Sequence, residues 1–467
     1  MSSDVGARSG ADQATSAGAQ SGGVTGERPR EVLAQTATGE PRIVVANREH
    51  LWYLLTEASQ LEHMIMCQYL FAEFSLKDGV ADGLTVEQAD AVERWRKVLH
   101  GIAVEEMLHM ALVANLMASI GAAPTFGRPN FPQRSGHFPA SVQMDLLPFS
   151  EAALRHFLYL ERPEGMERMD AEEFVPSAPP REPLVESEEL PRGQEFATVG
   201  HLYRGIADGL RGLVAHRGER AVFVGSPRAQ ATPELFRWPQ MVAVTGLDSA
   251  LAAVAEIIEQ GEGARGDWQE AHYGRFLGIW SEYEELRARD PAFNPARPVL
   301  AAYLRQPFDL VQPQAVITDP VTAQVAELAS IAYELVLHLL TRFFTHTDET
   351  DAQLGILVGI AVGMMAGVLR PLAIALTTMP VGPEHPGRGA GFAFGMYYAM
   401  SNFVPDREPS WALLHERTQV LAERCAETGR VSGVPAAVAE AGARAAGFVT
   451  TFAAHVPAEL LPGHLGT

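Results

Sequence analysis

Two stretches decide the fold: Leu54-Leu55-Thr56-Glu57-Ala58-Ser59-Gln60-Leu61-Glu62-His63 and Val104-Glu105-Glu106-Met107-Leu108-His109-Met110. On a helical wheel Glu62 falls in the centre of the apolar stripe made by Leu51, Leu55, Ala58, Ile65 and Tyr69. Glu106 falls likewise among Trp95, Leu99, Ile102, Met110 and Val113, with His109 at the stripe's edge. Ionisable side chains rarely enter a core unless they are paired or hold a metal. A Glu from one helix with Glu-x-x-His from the next is half of a carboxylate-bridged dimetal site in a four-helix bundle. The pattern predicts a metalloprotein.

Each residue also has a plainer reading. Glu62 fits a buried carboxylate satisfied by Tyr69 or an arginine. Glu-x-x-His alone arises by chance in many helices, and only its pairing with the first helix makes it specific. Glu105 stands one turn from His109, but the wheel turns it away from the core, so Glu106 is preferred. Glu73, eleven residues after Glu62 on the same face, serves the pocket or only nears the helix end. Met64, Met66, Met107, Met110 and Met117 are best read as core packing.

Outward from these segments the chain stays helical. A first helix is predicted over about 48–76. A second begins at Thr85, where Thr85 and Gln88 fit a capping box, and stops at Gly121. Residues 124–191 are rich in proline and acidic residues around one short helix (150–160), which reads as a long crossover. A third helix starts near Thr198. A loop over 225–246 leads to a fourth element over 247–260, which breaks at Gly261-Glu262-Gly263 and resumes over 268–286. Residues 1–45 are polar, glycine-rich and aperiodic, predicting a disordered tail. The domains expected are that tail, a metal-binding bundle over 46–290, and a C-terminal helical domain over 291–467.

Composition narrows the partners. The 467 residues carry 36 Lys and Arg against 57 Asp and Glu, a formal charge of −21, which disfavours nucleic acid or an anionic membrane as partner. Cys67 and Cys425 are the only cysteines, so neither a disulfide framework nor a thiolate cluster is expected, and the chain reads as cytoplasmic. The N-terminus lacks the apolar core of a secretory signal. Leu354–Leu369 has sixteen residues without a charge and glycines at 355, 359, 363 and 367. A membrane span needs about 20 such residues. With Arg370-Pro371 taken as the end of the run, a buried helix is expected and no membrane.

In the second half of the bundle, His272 lies on the apolar face with Trp268, Phe276, Ile279 and Tyr283, where a lone histidine is more often a satisfied core residue. Gln269 stands three residues before it, so a second Glu-x-x-His is absent. Glu262 is available to supply the missing carboxylate; its plainer reading is a solvent-facing residue after a glycine cap. The wheel sets His201 opposite Val199, Leu202 and Ile206, so capping or a surface role competes with ligation. Glu195 is the alternative if that helix begins earlier.

These segments resemble the ferritin-like domain of the iminophenyl-pyruvate dimer synthases, enzymes of the violacein and rebeccamycin pathways, and their stand-alone bacterial relatives. The resemblance rests on Gln60-Leu61-Glu62-His63, Glu105-Glu106-Met107-Leu108-His109-Met110 and Ala114-Asn115-Leu116-Met117. It continues in Thr198-Val199-Gly200-His201-Leu202-Tyr203, Gln260-Gly261-Glu262-Gly263 and His272-Tyr273 with Arg275-Phe276. It covers roughly 46–290. It implies an all-α protein: a ferritin-like four-helix bundle with a long crossover, plus a C-terminal helical domain. By position it nominates Glu62, Glu106, His109, His201, Glu262 and His272 as metal ligands. His201 departs from the glutamate expected after Thr-Val-Gly. The added imidazole makes copper or a single iron compatible with the site beside a di-iron centre.

The expected activity is that of an oxidase or oxygenase holding one or two iron ions, with copper or manganese as alternatives. It would act with dioxygen on a small, amino-acid-derived molecule of secondary metabolism. A ferroxidase or iron store without organic substrate, and a metal-free scaffold bundle, are the rival readings. The C-terminal region would close the pocket or form an interface in a homo-oligomer.

Overall fold

A computed structural model of the protein describes residues 42–133, 143–163, 189–191, 193–263, 268–310, 312–397 and 405–461. Its first helix, α1 (Arg48–Ser75), is capped by Asn47, whose side chain accepts from the His50 N–H at 3.0 Å. α2 (Val86–Ser119) starts with the predicted capping box between Thr85 and Gln88, and the chain turns at Gly121, φ 84°. The crossover carries α3 (Glu151–Leu160). Then follow α4 (Val199–Arg217), the single turns α5 (Glu219–Val222) and α6 (Pro233–Phe236), α7 (Leu247–Gly261) and α8 (His272–Arg289).

α1 packs along α2 and α4, α7 packs along α4 and α2, and α8 continues the fourth side of the bundle against α2 while α3 covers α8. α1 is buried almost all round from Leu54 onward. An amphipathic surface helix buries one face only. α1 has the bundle on one side and α11 and β2 on the other, so apolar residues surround it.

The expected tail lies outside the described residues over 1–41, but its last part does not fit a disordered segment. Ile43 is buried, and Val44 exchanges hydrogen bonds with Gln194, accepting at 2.9 Å and donating at 2.7 Å. Gly205 and Gly209 leave the room on α4 that Ile43 and Val45 occupy; a Cβ at either would collide with them.

The C-terminal region is helical around α9 (Pro320–Phe344), which contacts α10 (Asp351–Met364), α11 (Arg370–Leu376) and α12 (Arg407–Thr428); α13 (Ala437–Ala453) lies along α12. A two-stranded parallel sheet, β1 (Val299–Ala302) with β2 (Gly389–Phe392), pairs Val299 with Gly389 and adds a small non-helical element. Buried Arg342 binds Glu349 through two bonds of 2.5 and 2.7 Å, and Trp411 Nε1 donates to the same carboxylate at 3.1 Å, joining the end of α9 to α12.

One expectation fails here. The helix does not stop at Arg370-Pro371: a π-helical turn at Met365–Leu369 joins α10 to α11, and the run reaches Leu376. The wider turn spares Pro371 the clash an α-helical carbonyl four residues back would cause. At 26 residues, Asp351–Leu376 is long and apolar enough to cross a membrane, as are Val86–Ser119 and Pro320–Phe344. The most apolar windows of those two are 78% and 72% buried against 44% in Asp351–Leu376, so length does not separate this helix from a membrane span. Of its glycine stripe, Gly363 and Gly367 face Phe448 and Arg444 of α13, whereas Gly355 and Gly359 face open space.

Candidate metal centre

The bundle brings three carboxylates and two imidazoles together in its interior. Glu62 of α1, Glu106 and His109 of α2 form one group, and Glu106, Glu161 and His272 form a second; within each, one ligand atom per residue lies within 4.8 Å of the others. All five residues are buried. Glu106 belongs to both groups. Its Oε2 accepts from His109 Nδ1 at 2.8 Å, and its Oε1 lies 2.9 Å from His272 Nδ1. The two imidazole rings stand 5.5 Å apart, centre to centre.

The two groups mirror each other. Glu62 Oε2 lies 3.5 Å from His109 Nδ1, and Glu161 Oε2 lies 3.6 Å from His272 Nδ1. Each outer carboxylate holds a tyrosine: Tyr203 donates to Glu62 Oε1 at 2.5 Å, and Tyr69 donates to Glu161 Oε1. The far nitrogens of the histidines are also engaged. His109 Nε2 donates to Gln260 Oε1 at 3.0 Å, and His272 Nε2 donates to Glu105 Oε2 at 2.9 Å. Partners of that kind fix ring orientation behind a metal ligand. Arg275 holds Glu105 from outside.

The electrostatics are those of opposed charges removed from water. Burial raises the Glu62 carboxyl, and the Glu106 charge adds to this against His109, leaving it at about 7. Burial works to raise Glu106 as well, but His272 and His109 outweigh it and hold Glu106 well below the usual carboxylate range. Burial opposes protonation of both histidines, yet Glu106 overrides it, lifting His109 to about 10 and His272, with help from Glu161, well above its usual value.

The donor set fits a resident metal pair. Carboxylate and imidazole suit iron, manganese, copper or zinc, and a carboxylate with one oxygen toward each histidine suits a bridge. His272 Nδ1, fully buried, is close to Glu106 but lacks the alignment of a hydrogen bond.

Four sequence-nominated residues, Glu62, Glu106, His109 and His272, come together; two do not. Glu262 is buried, not solvent-facing, but it sits at the start of α4: its Oε1 accepts from the Gly200 N–H at 2.8 Å, and Arg204 lies 3.6 Å from Oε2. A side chain at position 200 would displace that carboxylate. His201 is buried too, contrary to the wheel. Its Nδ1 accepts from the Ala197 N–H at 3.1 Å, and its own N–H is capped by Thr198. It stands in neither group. Glu195 precedes α4, which begins only at Val199. Glu73 faces the C-terminal region, bound to Arg370 at 2.5 Å and 3.4 Å from His100. The carboxylate that stands with Glu106 and His272 is Glu161, which was not among the residues expected from the sequence. It follows the last residue of α3 inside the proline-rich crossover, where no periodicity marks an inward position. Its only signal is its place at the end of α3, the one short helix that the sequence predicts in that stretch.

Residues 55–281 match the family model described as Ferritin-like. Dichlorochromopyrrolate synthase of Lentzea aerocolonigenes is 26% identical over 425 residues, 84% of this chain and 40% of that protein. The 2-imino-3-(indol-3-yl)propanoate dimerase of Chromobacterium violaceum is 29% identical over 355 residues, 72% of this chain and 33% of that protein. The chain thus spans well under half the length of these relatives. A solved ferritin-like protein from Caulobacter vibrioides is 19% identical, with 68% of this chain and 96% of that one covered and a TM-score of 0.43.

Proposed function

We propose that this chain, whose residues 55–281 form a ferritin-like domain distantly homologous to those imine-dimerising biosynthetic enzymes, is a di-iron oxidase or oxygenase. Its substrate would be a small amino-acid-derived acid or imine, with dioxygen as oxidant. The observation that carries the reading is Glu106, whose two oxygens address His109 and His272 while Glu62 and Glu161 close the two ends. Bound iron supplies one-electron redox steps and dioxygen activation.

The protein's part follows from its own residues. Glu106 would hold two ion positions at a fixed separation. Tyr203 and Tyr69 restrain the outer carboxylates, and Gln260 and Glu105 restrain the imidazoles, so the ligands are set before an ion arrives. Burial keeps bulk water out. Three carboxylates against two divalent ions leave a net positive charge, which favours an anionic group, such as a substrate carboxylate, at the open positions.

The test is anaerobic reconstitution with ferrous iron, followed by elemental analysis and oxygen uptake with a tryptophan-derived imine. About two equivalents of iron per chain are expected, with oxygen consumption coupled to an organic product. Iron oxidation with no organic product would support a metal-handling role instead. Retention of less than about a tenth of an equivalent of any transition metal would remove the reading.

A further inference from the structure

The two halves of the cluster are alike as far as the ligand atoms. Each half offers one outer glutamate, one imidazole and one oxygen of Glu106, and a tyrosine hydroxyl holds each outer glutamate. All of these residues are buried. Donor type and burial therefore do not distinguish one ion position from the other.

What stands behind the imidazoles does. Gln260 Nε2 donates to Glu256 Oε1 at 2.6 Å, so the amide turns its carbonyl oxygen toward His109 and accepts from Nε2 at 3.0 Å. Behind His272 the acceptor is a carboxylate, Glu105 Oε2 at 2.9 Å, with no amide between. Arg275 donates to both oxygens of Glu105, Nη1 to Oε1 at 3.3 Å and Nη2 to Oε2, and so holds that carboxylate against the ring. Each arrangement keeps a proton on Nε2 and leaves Nδ1, the nitrogen that faces Glu106, to bind an ion.

The two acceptors are not equal. A carboxylate draws on the Nε2 proton more strongly than a neutral carbonyl does, which leaves Nδ1 richer in electron density and a better ligand. Arg275 offsets the long-range charge of Glu105 but not its direct bond to the ring.

We propose that Glu105 makes the two ion positions inequivalent. The His272–Glu161 position binds a divalent first-row cation more tightly and fills first, and the His109–Glu62 position fills second. Glu105 is here a positioning residue, acting on the ion only through His272. The order rests on the dimetal reading above, and it gives that centre one retained ion and one more readily exchanged.

The probe is manganous ion, titrated into the full chain and followed by the electron paramagnetic resonance of the unbound ion. Glu62→Ala leaves the His272 half and Glu161→Ala leaves the His109 half, so repulsion between two bound ions does not enter. The Glu62→Ala chain is expected to bind manganese at least about tenfold tighter than the Glu161→Ala chain. Adding Glu105→Gln should weaken the Glu62→Ala site about tenfold or more and change the Glu161→Ala site by less than about twofold, with both chains folded by thermal melting. Equal or reversed affinities in the two single-half chains, or equal losses on adding Glu105→Gln, would overturn the proposal. For a variant that does not fold, wild-type crystals grown with substoichiometric manganese decide. The anomalous peak is expected beside His272 and Glu161, and a peak of equal or greater height beside His109 and Glu62 would overturn the order. Retention of neither manganese nor iron by the wild-type chain would remove the dimetal reading itself, whereas two ions held alike would remove only the order.

Discussion

Glu161, the C-cap of α3, lies 3.6 Å from Nδ1 of His272, the first residue of α8. This contact completes the second half of the cluster with a residue from the crossover. Glu161→Ala leaves Glu62, Glu106 and His109 in place. Metal content should fall from about two equivalents to about one by elemental analysis. Glu262→Ala should keep both ions and lose about 1 kcal/mol of stability with the α4 cap. The opposite pattern would return the missing ligand to Glu262.

Glu106→Ala removes the group common to both halves. Both ions should be lost, with iron below about 0.2 equivalents after reconstitution, while helix content by circular dichroism is kept. Retention of a full equivalent would show that the halves bind independently.

Behind the ligands, Glu105 orients His272 through Nε2 at 2.9 Å. Glu105→Ala should weaken iron binding by roughly 10- to 100-fold without abolishing it. A competitive chelator titration reads this directly, and unchanged affinity would show that the contact is incidental.

Metal uptake must release protons. His109 sits at about 10 in the metal-free protein, so at pH 7 it carries a proton that an ion has to displace. The calorimetric enthalpy of iron binding should therefore shift with the ionisation enthalpy of the buffer, in the sense of proton release. An enthalpy independent of buffer would contradict protonated histidines.

Glu349 gives a separate acid sensitivity. Burial works to raise its carboxyl, but hydrogen bonds from Arg342 and Trp411 prevail and hold it at about 2 against an ordinary 4.5. Because the folded value is depressed, its contribution is complete above pH 4.5 and is lost as pH falls toward 2. That contribution is at most about 3 kcal/mol. Glu349→Gln should flatten the stability curve over this window in urea titrations, and a wild-type curve already flat there would refute the assignment.

Periodicity made much of this molecule legible. Glu62, Glu106 and His109 stand inside regular helices, where a 3.6-residue repeat alone fixes which side chains face inward, and His272 opens α8 on the face continued by Phe276, Ile279 and Tyr283. Thr85 with Gln88, Thr198 and the break after Gly261 likewise carry their boundaries in local chemistry.

Glu161, His201 and Pro371 were decided otherwise. Glu161 reaches the cluster because α3 packs on α8, a contact between parts of the chain more than 100 residues apart. His201 is buried against its own wheel because the segment before α4 folds over it, and Pro371 stays helical because a π-turn precedes it. A helix records its own faces in its sequence. Which crossover residue is pressed against which helix is set by packing across the whole domain, and no local pattern encodes that.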